Sequence, residues 1–121
     1  MKKFTFGTPE QFTPTKFCKN FSYKETKIKY PVEDINFETN VRGCLLKMPL
    51  KADEQIYGLG LQLKGFSLRG RKQTMRSNAD PMAFTGDSHA PVPFFVSTEG
   101  YGVFIDTARN AEFYFGSSEY L

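Results

Sequence analysis

A succession of short apolar segments with two-residue periodicity constrains the fold more than any other feature of this sequence. The clearest segments are residues 91–98, 101–107 and 111–116, and no helical periodicity persists over 10 residues. Apolar side chains occur on both faces of these segments, which predicts central strands covered on both sides. Glu99-Gly100, between the first two segments, is typical of a tight hairpin turn. The sequence therefore predicts an all-β fold, an antiparallel sandwich or barrel.

The first 50 residues carry weaker strand signals. Strands are predicted at residues 4–6, 22–30, 34–39 and 41–48. Residues 22–30 alternate strictly but are polar on most of both faces, which is typical of an edge strand protected by lysines. In residues 53–63 a helix competes, but Gly58 and Gly60 would each cost about 1 kcal/mol in a helix interior. We therefore predict an extended segment there.

Length and composition limit the classes of protein to which the chain can belong. Its 121 residues are the size of one domain, and its 13 Phe and 6 Tyr favour pleated, half-buried surfaces. The net charge of +3 is too small to indicate a polyanionic partner by itself. Met1-Lys2-Lys3 is not followed by an apolar stretch, and no apolar run approaches the roughly 18 residues of a membrane span. We expect no membrane partner and a cytoplasmic location.

Metal and cofactor chemistry has few candidate ligands in this sequence. The chain contains two cysteines, Cys18 and Cys44, and one histidine, His89. A three-ligand zinc site would use all of them. We expect both cysteines to be reduced, packed thiols, and we predict no metal and no cofactor.

Two stretches have both a functional and a plain structural interpretation. Gly58-Leu59-Gly60 lacks the third glycine of a dinucleotide-binding loop, because that position is Leu63. Glycines in a bulged strand are the favoured interpretation. The basic stretch of residues 64–76, with Phe66 inside it, could bind a single nucleic-acid strand on an OB-like barrel. A solvated basic hairpin is favoured, and we expect no nucleic-acid partner.

A polar loop, Arg76-Ser77-Asn78-Ala79-Asp80-Pro81, interrupts the apolar strands. Such a loop is either a plain turn or a sugar-binding lip. Asp80 and Asp87 could form a glycosidase carboxylate pair, which needs a separation of about 5 to 9 Å, but their spacing in sequence does not fix that distance. Ser88 and His89 are adjacent, and neighbours seldom point at each other as a nucleophile and its base must. We therefore predict no catalytic residue in this chain.

Several short motifs occur in an order that resembles one family of enzymes. They are residues 54–60, Leu68-Arg69-Gly70, Asn78-Ala79-Asp80, Pro93-Phe94-Phe95, Tyr101-Gly102-Val103-Phe104 and residues 113–116. In this order they resemble the N-terminal domain of glycoside hydrolase family 31, which includes α-glucosidases, α-xylosidases and α-galactosidases. Residues 1–50 match only loosely, as strands of the same sandwich.

The resemblance implies one galactose-mutarotase-like β-sandwich over residues 1–121, at the N-terminus of a larger, retaining, α-glucosidase-like hydrolase. In this family the nucleophile and the acid/base are aspartates of a catalytic (β/α)8 barrel, so residues 1–121 alone are expected to be inactive. The resemblance also implies that Asp80, supported by Asn78 and Arg76, contacts the bound sugar. The implied partners are an α-linked oligosaccharide or glycoside and the barrel of the same chain.

Four further expectations follow. Ser77 stands where the family's α-glucosidases often carry an aromatic residue, so the resemblance does not specify which α-linked sugar is the substrate. A stand-alone carbohydrate-binding sandwich is an alternative function; it needs an aromatic platform, which Tyr can supply in a chain without Trp. An OB-like nucleic-acid binder is a third hypothesis. A face intended for the barrel would be exposed in the isolated chain, which predicts a homo-oligomer.

Overall fold

The computed structural model describes residues 2–8, 24, 27, 29–62, 65–78, 88–107 and 109–119. Its contacts divide the chain into two compact units, Met1–Pro49 and Leu50–Leu121. Within the described residues, the secondary structure consists of one short 3₁₀ helix and seven strands, and all the strand pairs are antiparallel. The prediction of an all-β, antiparallel fold is confirmed. None of the helical structure in these ranges has the length and apolar character that a membrane span requires.

The first unit is built around a β-hairpin. A 3₁₀ helix at Val32–Asp34 precedes β1 (Asn36–Asn40), which pairs with β2 (Gly43–Lys47). The side-chain oxygen of Asn40 accepts hydrogen bonds from the backbone N–H of Arg42 and Gly43, at 2.8 and 3.0 Å. Asn and Asp stabilise turns in this way because their short side chains reach the backbone two or three residues on. The strands predicted at residues 34–39 and 41–48 are thus confirmed, with small shifts in their ends.

The other predictions for the first unit have different outcomes. Residues 4–6 do not form a strand, although the ring of Phe4 lies 5.1 Å from that of Phe37. The predicted edge strand at residues 22–30 falls mostly outside the described residues. Cys44 lies exposed on β2 as a free thiol, so the prediction that it is packed was wrong. Its position on a small hairpin, with most of both faces exposed, explains the difference. Cys18 lies outside the described residues.

The second unit contains two antiparallel sheets. One consists of β3 (Ile56–Gly60), β5 (Pro91–Ser97) and β6 (Gly102–Phe104), in the order β3-β5-β6. The other pairs β4 (Lys72–Met75) with β7 (Ala111–Tyr114). The basic segment therefore does not form a hairpin of its own, because β4 finds its partner near the end of the chain. Local sequence does not determine such a long-range pairing.

The turn and the bulge predicted from the sequence are both present. In the turn between β5 and β6, the backbone N–H groups of Ser97 and Gly100 donate to Tyr101 and Ser97 carbonyls, at 2.9 and 3.0 Å. In β3 the register with β5 shifts between Gly58 and Gly60, which is the predicted bulge. Leu59, inside the bulge, has a φ of 62° and is completely buried. The buried side chain and the two flanking glycines hold this uncommon backbone conformation in place.

The core of the second unit lies between its two sheets. Phe95 of β5 meets Phe113 of β7 and the following Phe115 edge-on, at ring-centroid distances of 6.1 and 5.1 Å. Edge-to-face pairs contribute about 0.5–1.5 kcal/mol beyond the area they bury. Among the described residues of this unit, the other buried apolar side chains are Ile56, Leu59, Leu68 and Tyr101. These contacts make the inner face of β5 the centre of the unit.

The outer face of β5 is not covered. Val92, Phe94 and Val96 alternate with the buried residues and keep 46%, 42% and 40% of their surface exposed. In their sheets β6 and β7 are edge strands. β5 is central in its sheet, as predicted, but its exposed outer face shows that the predicted covering on both sides was wrong. The prediction that β6 and β7 are central strands was also wrong. Apolar residues on both faces show that a strand is suited to burial, but they do not show which layer covers it.

Candidate functional site

The base of the polar loop is fixed by a short bridge between its two ends. Ser77 and Ser88 form an isolated bridge just after β4. The backbone N–H of Asn78 donates to the Ser88 carbonyl at 2.9 Å, and the N–H of Ser88 donates to the Arg76 carbonyl at 3.2 Å. Residues 79–87, between these anchors, lie outside the described residues. The loop thus leaves and re-enters the fold at one place.

The structure describes some of the residues predicted for the site but not all of them. Arg76 is exposed, Asn78 is half-buried, and Asp80 lies outside the described residues, as does Asp87. His89 is exposed, whereas Ser88 is buried.

Ser88 is not paired with a base in the described part of the chain. Its hydroxyl is buried, and there it has no hydrogen-bond partner. Among the described residues, the Ser88 hydroxyl therefore makes no hydrogen bond to His89.

A cleft of about 240 Å³ opens beside this loop base. The described part of its lining comes from the end of β4, the start of β5 and the segment that leads into β7. It includes Met75, Arg76, Ser77, Pro91, Pro93, Thr107, Arg109, Asn110 and Ala111. Arg109 is a residue that sequence reasoning missed. The sequence around Arg109 gives little indication of this position, because Arg76 and Arg109 reach the same cleft only through the pairing of β4 with β7.

A second group of polar residues surrounds the buried carboxylate of Glu54. One carboxylate oxygen, Oε1, accepts hydrogen bonds from the hydroxyls of Ser97 and Tyr101, both at 2.5 Å. The other, Oε2, accepts from the backbone N–H of Lys51 at 3.0 Å. Because Ser97 ends β5 and Tyr101 precedes β6, this carboxylate ties the segment before β3 to the hairpin. It is fully buried and used by three donors, so its role is structural.

Arg69 reinforces the same junction from the backbone side. Its Nη1 donates to the carbonyls of Lys51 and Glu54, at 2.8 and 2.7 Å. The ammonium of Lys51 pairs with Glu99 at the surface. Lys72, from the same basic stretch, lies 3.7 Å from the carboxylate of Glu112. Several basic side chains of residues 64–76 therefore serve contacts within the protein.

Hydrogen bonding keeps the Glu54 carboxylate ionised despite its burial. Burial raises the pKa of Glu54, but the hydrogen bonds from Ser97, Tyr101 and the Lys51 N–H, together with the Lys51 charge, lower it by more. The resulting pKa lies below the ordinary value of a glutamate. The ionised form is therefore the one that the folded state stabilises.

We expect the chain to lose stability on acidification. A carboxylate with a lowered pKa in the folded state stabilises that state above its unfolded pKa, about 4.3 for a glutamate. This contribution disappears as the pH falls through the lower, folded pKa. Urea unfolding from neutral pH to about pH 3 should show a steeper loss for the wild-type chain than for Glu54→Gln. Parallel pH profiles of the two proteins would contradict a lowered Glu54 pKa.

An exposed aromatic face covers the outer side of the β3-β5-β6 sheet. Phe94 pairs across the strands with Phe104, which is 64% exposed. Nearby, the ring of Phe66 lies 4.8 Å from that of Tyr57 and is 85% exposed. We call this surface the outer aromatic face; it consists of Tyr57, Phe66, Val92, Phe94, Val96 and Phe104. Contiguous apolar surface of this kind is typical of an interaction site.

The described ranges contain no cluster of three or more His, Cys, Asp or Glu side chains that could hold a metal ion. The site is therefore defined by the loop base, the cleft beside it and the outer aromatic face. All three lie in the second unit.

Comparison with known proteins gives these features a context. The family model for the glycosyl hydrolase 31 N-terminal galactose mutarotase-like domain matches residues 20–113. The α-xylosidase XylQ of Lactiplantibacillus pentosus is 32% identical over 82 residues, which are 68% of this chain and 11% of that protein. The solved structure of the Flavobacterium johnsoniae GH31 dextranase FjDex31A, complexed with glucose, matches at a TM-score of 0.51 with 34% identity. That match covers 57% of this chain and 9% of the dextranase.

The chain spans about a tenth of the length of each of these relatives. The family match covers most of the chain and includes the bulged strand, the loop base and the hairpin. The resemblance seen in the motifs is confirmed. The chain therefore belongs to the family of N-terminal galactose mutarotase-like domains of glycoside hydrolase family 31.

Proposed function

We propose that this chain is the non-catalytic, N-terminal domain of a retaining, α-glucosidase-like glycoside hydrolase, and that its polar loop forms part of the substrate pocket. The observation that carries the proposal is the bridge at the base of the loop. Two backbone hydrogen bonds between residues 76–78 and Ser88 bring both ends of the loop together. A loop whose two ends are anchored to a rigid scaffold suits a binding role, which we assign to Asp80.

The chemistry of the loop suits a sugar. An ionised carboxylate at Asp80 accepts hydrogen bonds from sugar hydroxyls, and such charge-assisted bonds are stronger than neutral ones. The amide of Asn78 and the guanidinium of Arg76 would add hydrogen bonds to the same ligand. In the whole enzyme, the bond-breaking aspartates would belong to a (β/α)8 barrel on the same chain, and the reaction would pass through a covalent intermediate. A cytoplasmic location belongs to the same proposal.

The relatives narrow the choice of substrates to test. One is named an α-xylosidase and the other a dextranase complexed with glucose. We therefore propose an α-linked oligosaccharide or glycoside as the substrate, with nitrophenyl α-xyloside, nitrophenyl α-glucoside and dextran as the first probes. No activity is expected from residues 1–121 alone, because the barrel would supply both catalytic aspartates.

In the full-length protein that contains this chain, we expect Asp80→Ala to lower kcat/KM about 30-fold, mainly through a higher KM. The reason is that a hydrogen bond to a charged group contributes about 1.5–3 kcal/mol. Steady-state kinetics on the glycoside with the highest activity would measure the effect. Asp34→Ala, at an exposed position of the first unit, is the matched control and should leave both constants unchanged. If Asp80→Ala and the control had the same kcat and KM, Asp80 would not belong to the substrate pocket.

The outer aromatic face supports the second part of the proposal, a barrel on the same chain. Phe94 and Phe104 stand side by side on adjacent strands, and both remain exposed. A large apolar face is costly to leave in water, at about 25 cal/mol for each Å². We propose that the barrel covers it in the whole enzyme.

When the chain is produced without a barrel, we expect self-association through the outer aromatic face. Phe104→Ser should shift the sedimentation profile towards the monomer, because it removes the most exposed aromatic ring of the β5–β6 pair. Val41→Ser is the matched control, since Val41 is fully exposed in the turn of the first unit. Sedimentation velocity over a range of concentrations measures the effect. A monomeric wild-type chain at every concentration would contradict the prediction.

A stand-alone carbohydrate-binding domain is the second candidate function. It is favoured by the Tyr57–Phe66 ring pair, which is exposed enough to stack on a sugar ring. Titration of the chain with xylose, glucose or dextran, followed by tyrosine fluorescence, would test this function. Quenching that Phe66→Ala removes would support it, and no quenching at all would exclude it.

A further inference from the structure

We propose that the β3 edge of the outer aromatic face binds a neutral sugar unit of a polymeric substrate, at a second site apart from the polar loop. The polymer follows from the proposed glycosidase function, on which the site rests for its ligand, but the site needs neither the loop nor Asp80. Its centre is the ring pair of Tyr57 and Phe66, with ring centroids 4.8 Å apart and an interplanar angle of 39°. Tyr57 is half-buried and Phe66 is 85% exposed. Two rings at this separation form one apolar platform that is open to a ligand.

The position of Tyr57 on β3 directs its ring to the outer face of the sheet. Tyr57 pairs with the exposed Val96, whereas the next pair joins Gly58 to the buried Phe95. Because the side chains of adjacent strand residues point to opposite faces, Tyr57 shares the outer face with Val96. Phe66 belongs to the segment between β3 and β4 and lies against this ring. A strand therefore fixes one ring of the platform, and a loop places the second ring beside it.

Polar groups border the ring pair. Ser67 directly follows Phe66, and its hydroxyl donates to Oε1 of Gln55 at 2.7 Å. A primary amide also carries two N–H donors on its nitrogen, so Gln55 keeps donors that can reach a sugar hydroxyl. Thr98 is exposed, and its hydroxyl accepts the backbone N–H of Gln55 at 3.0 Å, which leaves the hydroxyl proton for donation. An apolar platform with a few fixed polar groups at its border suits a ligand with apolar faces and a rim of hydroxyls.

The platform lies well apart from the polar loop. On β5, Pro91 pairs with Gly60, and Val96 pairs with Tyr57. Ser88, at the base of the loop, comes shortly before Pro91 in the chain. The stretch of β5 from Pro91 to Val96 is roughly 17 Å long, at about 3.4 Å for each residue of an antiparallel strand. A small glycoside bound at the loop would not reach the platform, whereas a polymer would be long enough to occupy both.

The platform and the surface assigned to the barrel lie at opposite edges of one sheet. The strand order is β3-β5-β6, so β5 separates Tyr57 from Phe104. Neighbouring strands are about 4.8 Å apart, which places the two edge strands roughly 10 Å apart. In the whole enzyme, the barrel would then cover the outer aromatic face at Phe94 and Phe104, and the β3 edge would stay open to a ligand.

Migration of the full-length protein in native gels that contain dextran tests the site. We expect dextran to slow the wild-type protein, and Phe66→Ala to weaken the affinity for dextran about tenfold, because it removes the more exposed ring of the platform. Phe66→Tyr keeps the ring and should bind as the wild type does. Val41→Ser, which removes a fully exposed apolar side chain from the first unit, is the matched control and should also bind as the wild type does. Asp80→Ala should still be slowed by dextran, because the platform does not include the loop.

Steady-state kinetics distinguishes the platform from the loop pocket. In an enzyme that hydrolyses dextran, Phe66→Ala should raise the KM for dextran about fivefold, with no matching change for nitrophenyl α-glucoside, which is too small to span both sites. A purely structural role of Phe66 would affect the two substrates alike. Asp80→Ala should impair both substrates, so failure of the pocket proposal and failure of the platform give different results. If the enzyme does not hydrolyse dextran, the gel measurement decides alone.

Three results would overturn the platform. They are no slowing of the wild-type protein by dextran, equal slowing of the wild type and Phe66→Ala, and equal slowing by dextran and by polyethylene glycol of the same mass. The last result would show an apolar patch without preference for sugars. Circular dichroism establishes that Phe66→Ala is folded, as expected for a residue that is mostly exposed. If Phe66→Ala does not fold, Phe66→Gln replaces it, with the same loss of affinity expected.

Discussion

Glu54→Ala is expected to lower the free energy of unfolding by about 3–5 kcal/mol, the range for removing one partner from a buried, hydrogen-bonded charge. The Glu54 carboxylate is fully buried and accepts hydrogen bonds from Ser97, Tyr101 and the Lys51 N–H. Truncation would leave these donors without their acceptor inside the protein. Each unsatisfied buried donor costs about 1–3 kcal/mol. Small domains are stable by only about 5–15 kcal/mol, so the loss is a large fraction of the total.

Equilibrium unfolding in urea, followed by circular dichroism, measures the Glu54 effect. Glu99→Ala is the matched control, because Glu99 also pairs with the Lys51 segment but does so at the surface. Surface ion pairs contribute little to stability, so the control should unfold near the wild-type midpoint. Ser97→Ala and Tyr101→Phe should each reproduce only part of the Glu54 loss, since each removes one donor. A Glu54→Ala midpoint equal to that of the control would show that the carboxylate is not a structural centre.

Gly60→Ala is expected to destabilise the chain by about 4 kcal/mol, the sum of a backbone cost and a steric cost. Gly60 has a φ of 81°, a left-handed conformation that costs about 1–2 kcal/mol for a residue with a Cβ. A Cβ at this position would also collide with the Ala90 carbonyl oxygen and lie 2.7 Å from the Val92 nitrogen. Both contacts are backbone atoms, one in β5 and one in the residue just before it, so the clash cannot be relieved by a side-chain rotation. The bulge would have to open.

Gly100→Ala separates the backbone cost of a left-handed residue from the steric cost of a Cβ. Gly100 has the same φ of 81°, but a Cβ there would meet no atom within 4 Å. Its substitution should therefore cost only the backbone part, about 1–2 kcal/mol. Thermal and urea unfolding of the two variants measure the difference. Equal destabilisation by both substitutions would mean that close approach of β3 and β5 is not the reason for the glycine.

The bulge itself could be predicted because its cause is local. Gly58 and Gly60 are poor helix formers and good bulge formers, and the surrounding apolar residues indicate a strand. The hairpin at Glu99-Gly100 could be predicted for the same kind of reason. Both features depend on the conformational preferences of a few neighbouring residues, and these preferences can be inferred from a short stretch of sequence.

The role of Glu54 could not be predicted from its neighbours. Its two hydroxyl donors, Ser97 and Tyr101, are more than forty residues away in sequence, at separations of 43 and 47 positions. The same is true of the cleft, since Arg76 and Arg109 approach only because β4 pairs with β7. The sequence shows that a residue carries a carboxylate or a guanidinium group, and hence its charge. The groups that surround it depend on which strands pair.

The sequence alone determined the all-β class, the strand positions in residues 34–60 and 91–116, the bulge, the hairpin and, through the order of its motifs, the family. These properties depend on local backbone preference and on two-residue alternation, both of which act over a few residues. Tertiary structure alone decided that Glu54 is buried while Phe94 and Phe104 are exposed, and that the two ends of the polar loop meet at Ser88. Burial and charge pairing depend on the layer packed against each face, and strand pairing over long separations selects that layer.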